Sequence, residues 1–378
     1  MKKILFIVND PSYFISHRMP IGVTLLRKGF SVHVASPGQC PSVLLDNGFI
    51  YHRLKMSRKG SNPIAETMSI WELVRLFKQI KPDLVHLVTI KPYLYGGIAA
   101  RISGVPSVVS AVAGLGLVFS QNTVKSKFLR IILYQFYNLA FGHKNQTTIF
   151  QNPNDRDLLV KWGILSKDKT VVIRGAGVDL AQYPFCDEPS GVPVITFAGR
   201  LLRDKGVEEF VEASRLLRAR GVKVFFWLIG EPDSGNSNSV TTKQLDEWQK
   251  LDLIKYFSYR SDIASLFSQS NMISLPSYYG EGLPKVLVEA AACGRAVITT
   301  DHPGCRDAIG PNVTGVLVPI RNVIALADAI EDLINNPEKR KQLGQAGRVL
   351  AEKEFSIEKI IDEHMKIYNE LFNVVRSD

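Results

Sequence analysis

Two pairs of charged residues stand where they could handle a phosphorylated ligand. Arg200 and Lys205 lie in the run Gly199-Arg200-Leu201-Leu202-Arg203-Asp204-Lys205-Gly206, between an apolar stretch at 194–198 and a helical pattern that starts at Val207. Flanking glycines let the backbone come close to a ligand. Two cations at the end of a strand suit a diphosphate, neutralising it and stabilising it as a leaving group. In the plainer reading, Lys205 is an exposed turn residue and Arg200 pairs with Asp204. Glu281 and Glu289 form the second pair, eight positions apart. Glu281 sits in the turn-rich Pro276-Ser277-Tyr278-Tyr279-Gly280-Glu281-Gly282, and Glu289 falls among Val286, Leu287, Val288, Ala290 and Ala291. A carboxylate in such an apolar run needs a partner. A vicinal diol such as that of a ribose would donate two hydrogen bonds to it. The plainer alternatives are a Glu281 that favours a helix dipole and a Glu289 on a solvent face.

These residues need strands and helix starts to position them. The segment 272–275 reads as a strand, 276–282 as a loop, 283–293 as a helix with Pro284 in its first turn, and 296–299 as the next strand. Proline costs nothing there, because its missing N–H has no helical partner anyway. The start of such a helix offers free N–H groups and a positive dipole end, which hold phosphate. The same alternation runs through the chain. Apolar runs at 3–8, 31–35, 84–88, 107–111, 147–151 and 170–173 are separated by helical patterns such as 64–80 and 125–141. A second series follows at 194–198, 224–229, 272–275, 296–299 and 315–318. Strand–helix alternation predicts parallel sheets with right-handed crossovers. The series breaks once, at 175–192, which is rich in Gly, Pro and acids. The expectation is an α/β chain of two doubly wound, Rossmann-like domains, 1–175 and 190–355, facing each other across a cleft. A final helix within 356–378 packs back towards the first domain. Ligands of such sheets sit at the carboxyl ends of the strands.

Composition narrows the class. The 378 residues, 46% hydrophobic and 22% charged, fit a folded two-domain enzyme. No apolar run reaches the ~18 residues a membrane-spanning helix needs. Met1 to Val8 reads as a first buried strand rather than a signal peptide, since Asn9-Asp10-Pro11 ends it early. The four cysteines show neither metal spacing nor a disulfide framework and suit reduced, cytosolic thiols. The net charge of +10 is uneven: residues 1–188 hold 23 Lys+Arg against 11 Asp+Glu, and the remainder 23 against 25. A basic half beside a near-neutral half points to an anionic partner on one domain: nucleic acid, an anionic membrane surface or a phosphorylated lipid. The alternative is a solvated basic face without a partner. Aromatic platforms for stacked bases are not evident, which argues against nucleic acid.

Taken together, Gly199 to Gly206, Pro276 to Pro284 and Glu289 to Gly294 resemble the retaining, family-4 glycosyltransferases of the GT-B fold. The resemblance covers nearly the whole chain and is strongest in the second half. It implies a metal-independent hexosyltransferase with no cofactor besides its sugar-nucleotide substrate. By position, Arg200 and Lys205 would bind the donor's diphosphate. Glu281 would lie by the donor sugar and Glu289 by the ribose, with Gly199, Gly282 and Leu283 completing the donor set. Around Tyr259 to Ile263, including Arg260, similar enzymes hold the nucleobase through backbone groups. The run from Thr300 to Asp307 resembles the loop that follows this unit in bacterial members that build surface polysaccharides.

The first half departs from the family pattern. Many relatives have paired glycines in the first loop; this chain has Ser16-His17-Arg18-Met19-Pro20. That stretch looks like a subgroup acting on polyprenyl-diphosphate-linked sugars, with His17 and Arg18 meeting acceptor phosphate or hydroxyl groups. The other reading of His17 is a helix cap. Lys91 follows the third main strand and can line the cleft on the acceptor side. Gly114 and Gly116 follow the fourth and would let backbone N–H groups approach the donor. Relatives often have a histidine in that loop where this chain has Val112-Ala113-Gly114, so no role of that histidine carries over. His86 is either a satisfied core residue or a functional one. Arg58-Lys59 and the 125–141 helix either rest on a bilayer or belong to a buried amphipathic element.

The expectation is transfer of an N-acetylhexosamine or hexose from a UDP-sugar to a polyprenyl-diphosphate-linked glycan. It would take place in the cytoplasm, in peripheral contact with the anionic inner membrane face. The rivals are a UDP-sugar 2-epimerase of similar layout and a non-catalytic sugar-nucleotide binder.

Overall fold

The computed structural model describes residues 1–56, 63–115, 134–233 and 235–374. The chain divides into two compact units: Met1–Ala176 with Glu358–Asp378, and Gly177–Ile357.

The first unit is a seven-stranded sheet in the order β3-β2-β1-β4-β5-β6-β7. Its strands are β1 (Lys3–Ile7), β2 (Ser31–Pro37), β3 (Ile50–Leu54), β4 (Leu84–Val88), β5 (Ser107–Val112), β6 (Gln146–Phe150) and β7 (Thr170–Val172), all paired in parallel. β1, β4 and β5 are near-continuous apolar runs because helices cover both faces of a parallel sheet. One face packs Leu5, Ile7, Val85, Leu87 and Phe150 against Leu73, Val74 and Phe77 of the helix Pro63–Ile80. The other packs Ile4, Phe6, Val109 and Ile149 against Ile360, Ile367, Tyr368, Leu371 and Phe372 of the last helix, Ile357–Val374. Burial of those five side chains contributes roughly 8–15 kcal/mol before entropy. His86 of β4 is fully buried there, its Nδ1 2.6 Å from the Tyr368 hydroxyl. Burial, then the Arg18 charge, holds its pKa well below the usual imidazole value. It therefore sits as a neutral core residue.

The second unit repeats the pattern with six strands in the order β10-β9-β8-β11-β12-β13. These are β8 (Val194–Ala198), β9 (Phe225–Ile229), β10 (Lys255–Phe257), β11 (Met272–Leu275), β12 (Ala296–Thr300) and β13 (Gly315–Val318), again all parallel. One core runs through it, from Ile195 and Phe197 to Leu287, Ala291, Val297 and Leu343.

The structure adds two edge strands, β3 and β10, that the apolar-run reading leaves out. Both are half-exposed and mixed in polarity, as edge strands tend to be. In each sheet the chain order reverses between neighbouring strands, β1 beside β4 and β8 beside β11. The carboxyl ends of those pairs are the switch points where open α/β sheets take their ligands. No helix among the described residues is long and apolar enough to cross a membrane.

Candidate active site

In the second unit, both chemically suggestive segments leave the switch-point strands. Gly199 to Gly206 follows β8, and Pro276 to Pro284 follows β11. They are stitched together by Tyr278 N donating to Asp204 O at 2.9 Å and Ser277 Oγ donating to the same carbonyl at 3.3 Å. Gly206, at φ +78°, closes the turn Arg203–Lys205 against Pro276; a Cβ there would stand 2.2 Å from the Pro276 carbonyl oxygen. The first loop must therefore be glycine at this point for the two loops to touch.

That contact places Lys205 Nζ 2.8 Å from Glu281 Oε1, both side chains largely buried at 14% and 12% exposure. Ser277 Oγ also stands 3.3 Å from Glu281 Oε1, its one proton shared between that oxygen and the Asp204 carbonyl. Arg200 is more open, and its guanidinium lies 3.6 Å from Asp233, not Asp204. Asp204 is buried, with Oδ1 lacking a hydrogen-bond partner among the described residues. Burial raises its pKa, the Glu281 charge adds to that, and Asn238 and Lys205 oppose it. Gly304, at φ +82°, backs the Glu281 loop from the far side; a Cβ there would meet Glu281 O at 2.5 Å. Thr300 Oγ1 bonds to Ser277 O, tying the end of β12 to the same loop. Cys305 is buried beneath it, its thiol pushed up to about 12 by burial and then by the Glu281 charge.

Glu289 differs from the picture of a carboxylate waiting for a ligand. It is buried on the helix Lys285–Ala292, but the Tyr183 hydroxyl donates to Oε1 at 2.8 Å and Lys285 Nζ approaches it at 3.2 Å. Nothing local in the sequence marks Tyr183, which precedes Glu289 by 106 residues. Burial, then the adjacent Glu289 charge, raises its phenol pKa. The helix also begins two residues later than expected. Pro284 is the N-cap, with an extended ψ of 118°. Leu283 is buried before it, and Gly282 precedes Leu283 in the loop. Gly199 adopts φ +151°, and its N–H bonds to Ile229 O. Arg260 is exposed and clasps Asp262, with Nε at 2.7 Å from Oδ1. A cavity of about 800 Å³ in this unit lies at the amino ends of β9 and β10, lined by Phe225, Trp227 and Lys255 among others, and includes none of the candidate residues.

In the first unit, Asp10 caps the helix Pro11–His17 by accepting from Ser12 N at 2.9 Å. His17 ends that helix rather than starting one; it stacks on Tyr13 and meets Ser16 Oγ at 2.6 Å. Arg18, between this helix and Met19–Arg27, is 1% exposed. Its Nη1 donates to His17 O, and Nε has no partner among the described residues. Lys91, in the first turn of Ile90–Ser103, pairs with Glu66 at 2.6 Å. Just before it, Thr89 holds φ +75° with its hydroxyl buried and lacking a hydrogen-bond partner among the described residues. Strain of that kind concentrates at functional positions. Gly114 takes φ +105° after β5, while Gly116, Arg58, Lys59 and 125–133 lie outside the described residues. Among the described residues no group of three or more His, Cys, Asp or Glu is placed to hold a metal ion.

Two sheets of dinucleotide-fold order, the second carrying a cation–carboxylate site at its switch point, define a GT-B type protein. The family comparisons agree: "Glycosyl transferase 4-like" matches residues 3–152 and "Glycosyl transferases group 1" matches 185–350. The chain belongs to this group of glycosyltransferases. Campylobacter jejuni N,N'-diacetylbacillosaminyl-diphospho-undecaprenol alpha-1,3-N-acetylgalactosaminyltransferase is 27% identical over 88% of this chain and 91% of its own. An Escherichia coli UDP-Gal:alpha-D-GlcNAc-diphosphoundecaprenol alpha-1,3-galactosyltransferase is 24% identical over 71% of this chain and 70% of its own. Among solved structures, Anabaena HepE in complex with UDP-glucose superposes with a TM-score of 0.78 at 18% identity, covering 99% of this chain and 100% of that one, a likeness of fold.

Proposed function

We propose that this glycosyltransferase moves an N-acetylhexosamine or hexose from a UDP-sugar to a polyprenyl-diphosphate-linked glycan in bacterial glycan assembly, with retention at the anomeric carbon. The observation that carries the reading is the Lys205–Glu281 pair, held at 2.8 Å where the two switch-point loops meet. A diphosphate entering there finds Lys205 and the more open Arg200. Its negative charge competes with Glu281 for Lys205 and frees that carboxylate to meet the sugar. Glu289, aimed by Tyr183, takes the ribose. Gly199, Gly282 and Leu283 form the wall beside the diphosphate, and Arg260 and its neighbours hold the base.

In the reaction, the bond from the anomeric carbon to the diphosphate oxygen breaks, and the acceptor oxygen bonds to the same face. The departing phosphate oxygen takes the acceptor's proton. Arg200 and Lys205 stabilise the charge that builds on that oxygen, so neither a covalent nucleophile nor a metal ion is needed. The acceptor side draws on His17 and Lys91; Arg18, expected there from sequence, is 1% exposed and does not face an acceptor. The two relatives, both named for transfer to undecaprenol-diphosphate sugars, support this acceptor, as do the +12 charge of residues 1–188 and the resulting pull towards an anionic cytoplasmic membrane face.

The test is a screen of UDP-sugars against synthetic polyprenyl-diphosphate glycans, read by mass spectrometry. One acceptor should gain one sugar, and Lys205→Ala and Glu281→Gln should each lower kcat by about a hundredfold or more. An isomerised donor formed without acceptor, or near-normal kcat in both variants, overturns the reading.

A further inference from the structure

The helix Pro63–Ile80 of the first unit has an outer face with a composition of its own. Its inner side is ordinary core: Leu73, Val74, Phe77 and Ile80 are buried against the sheet. On the outer side Ile64, Met68 and Trp71 are 73%, 66% and 56% exposed, and Arg75 and Lys78 continue the same line. At 100° per residue, positions 64, 68, 71, 75 and 78 fall on one narrow stripe. The stripe is apolar in its first half and cationic in its second. Both acids of this helix are turned to the protein: Glu66 binds Lys91 at 2.6 Å, and Glu72 accepts from Lys55 N at 3.0 Å. No carboxylate stands among the exposed residues of the helix.

Folding gains nothing from exposing a tryptophan, a methionine and an isoleucine side by side, so such a patch marks a contact. A protein partner would account for the apolar half. It would not by itself account for the separation of charge, with every acid withdrawn and two cations kept. A bilayer accounts for both. Tryptophan settles at the level of the lipid headgroups, methionine and isoleucine enter the acyl boundary, and lysine and arginine meet anionic headgroups. We propose that the Ile64–Met68–Trp71–Arg75–Lys78 stripe is a membrane-surface contact of this chain, laid flat on an anionic lipid bilayer. This gives an address to the membrane contact in the function proposed above and rests on that reading only for its purpose, since lipid binding needs neither donor nor acceptor.

The experiment is flotation of the full chain with vesicles of phosphatidylcholine, with or without phosphatidylglycerol. Wild type should float with the anionic vesicles and much less with the neutral ones. Met68→Ser with Trp71→Ser should lower partitioning at least about tenfold. Arg75→Gln with Lys78→Gln should lower it about 25-fold, some fivefold for each cation, and less as salt is raised. Brominated lipids should quench tryptophan emission in wild type, and Trp71→Phe should remove most of that quenching. All four positions are exposed, so circular dichroism should be unchanged. Wild type that ignores anionic vesicles, variants that bind like wild type, or a stripe that instead drives self-association in solution overturns the proposal. Transfer to a water-soluble acceptor analogue keeps the two questions apart. It should survive in the stripe variants, and its absence from wild type would count against the function and not against the lipid contact.

Discussion

Tyr183→Phe is the sharpest probe of the donor side, because it deletes one hydroxyl and leaves the ring. In the structure that hydroxyl donates to Glu289 Oε1 at 2.8 Å, while Lys285 Nζ stands 3.2 Å from the same oxygen. Hydrogen bonds to a charged group contribute roughly 1.5–3 kcal/mol. Lys285 remains after the substitution, so the lower end applies. About 1.4 kcal/mol is a factor of ten in an equilibrium constant, and the donor KM should therefore rise about tenfold. The reacting centre lies with Glu281 in the proposed mechanism, so kcat should change less than about threefold. Because burial and the Glu289 charge raise the Tyr183 pKa, the phenol donates throughout the neutral range. The loss should therefore be flat with pH.

The assay is steady-state transfer with the donor varied at saturating acceptor, in a cycle of Tyr183→Phe, Glu289→Gln and the double variant. If Tyr183 acts by aiming Glu289, its removal matters little once the carboxylate is gone. The cycle should then show a coupling of about 1 kcal/mol or more. Independent effects, with the double variant at the product of the two singles, would refute the positioning argument. A fall in kcat with an unchanged donor KM would refute the assignment of Glu289 to binding.

Gly304→Ala places a methyl against the Glu281 carbonyl oxygen at a backbone φ of +82°. Left-handed backbone and overpacking together should destabilise the chain by about 2–4 kcal/mol and lower kcat. Thermal unfolding and initial rates check both, and an unchanged melting point would show that the Glu281 loop yields freely. Acid stability should fall through the first unit. His33 bonds to His52 at 2.9 Å, and burial, then the neighbouring His52, lowers its pKa to about 4. Its folded pKa lies below the unfolded value of about 6.5, so the unfolded chain holds the extra proton. Its stability contribution is complete above the unfolded pKa and is lost as pH falls from about 6.5 towards 4, up to about 3 kcal/mol at ~1.4 kcal/mol per unit. Denaturant titrations of wild type and His33→Gln across that window should converge in their pH dependence only if this reasoning fails.

The fold was readable because a parallel sheet buried on both faces writes each inner strand as an apolar run. β1, β4, β8, β11 and β12 are of that kind. β3 and β10 are edge strands with one side towards solvent, and their residues Ile50-Tyr51-His52-Arg53-Leu54 and Lys255-Tyr256-Phe257 carry no such run. The loops of the candidate site were readable for a local reason too: glycine, proline and charge cluster where the chain turns at a strand end. What each side chain touches was not. Lys205 to Glu281, Tyr183 to Glu289 and Arg200 to Asp233 are contacts between distant segments. They depend on strand order, and no window of sequence contains both partners. Arg18 shows the same limit. A basic residue in a polar loop reads as exposed, yet the packing of two short helices buries it to 1%.

The pairing of charges within the site bears on how the proposed chemistry is organised. Lys205 and Glu281 neutralise each other, and Glu289 is satisfied by Tyr183 and Lys285. A buried carboxylate left unpaired costs several kcal/mol, so Glu281 on the loop and Glu289 on the helix that follows it each need such an internal partner. A donor must then compete for groups that are already bonded. A diphosphate carries enough charge to take Lys205 and Arg200 together, while a sugar alone does not. On this arrangement Glu281 becomes available to the sugar only after the diphosphate has bound, which makes the two roles sequential. UDP should therefore bind nearly as tightly as the full donor, and the free sugar should bind hardly at all. Titration calorimetry with UDP, UDP-sugar and free sugar decides this, and free-sugar affinity comparable to that of UDP would show that Glu281 does not wait for the diphosphate.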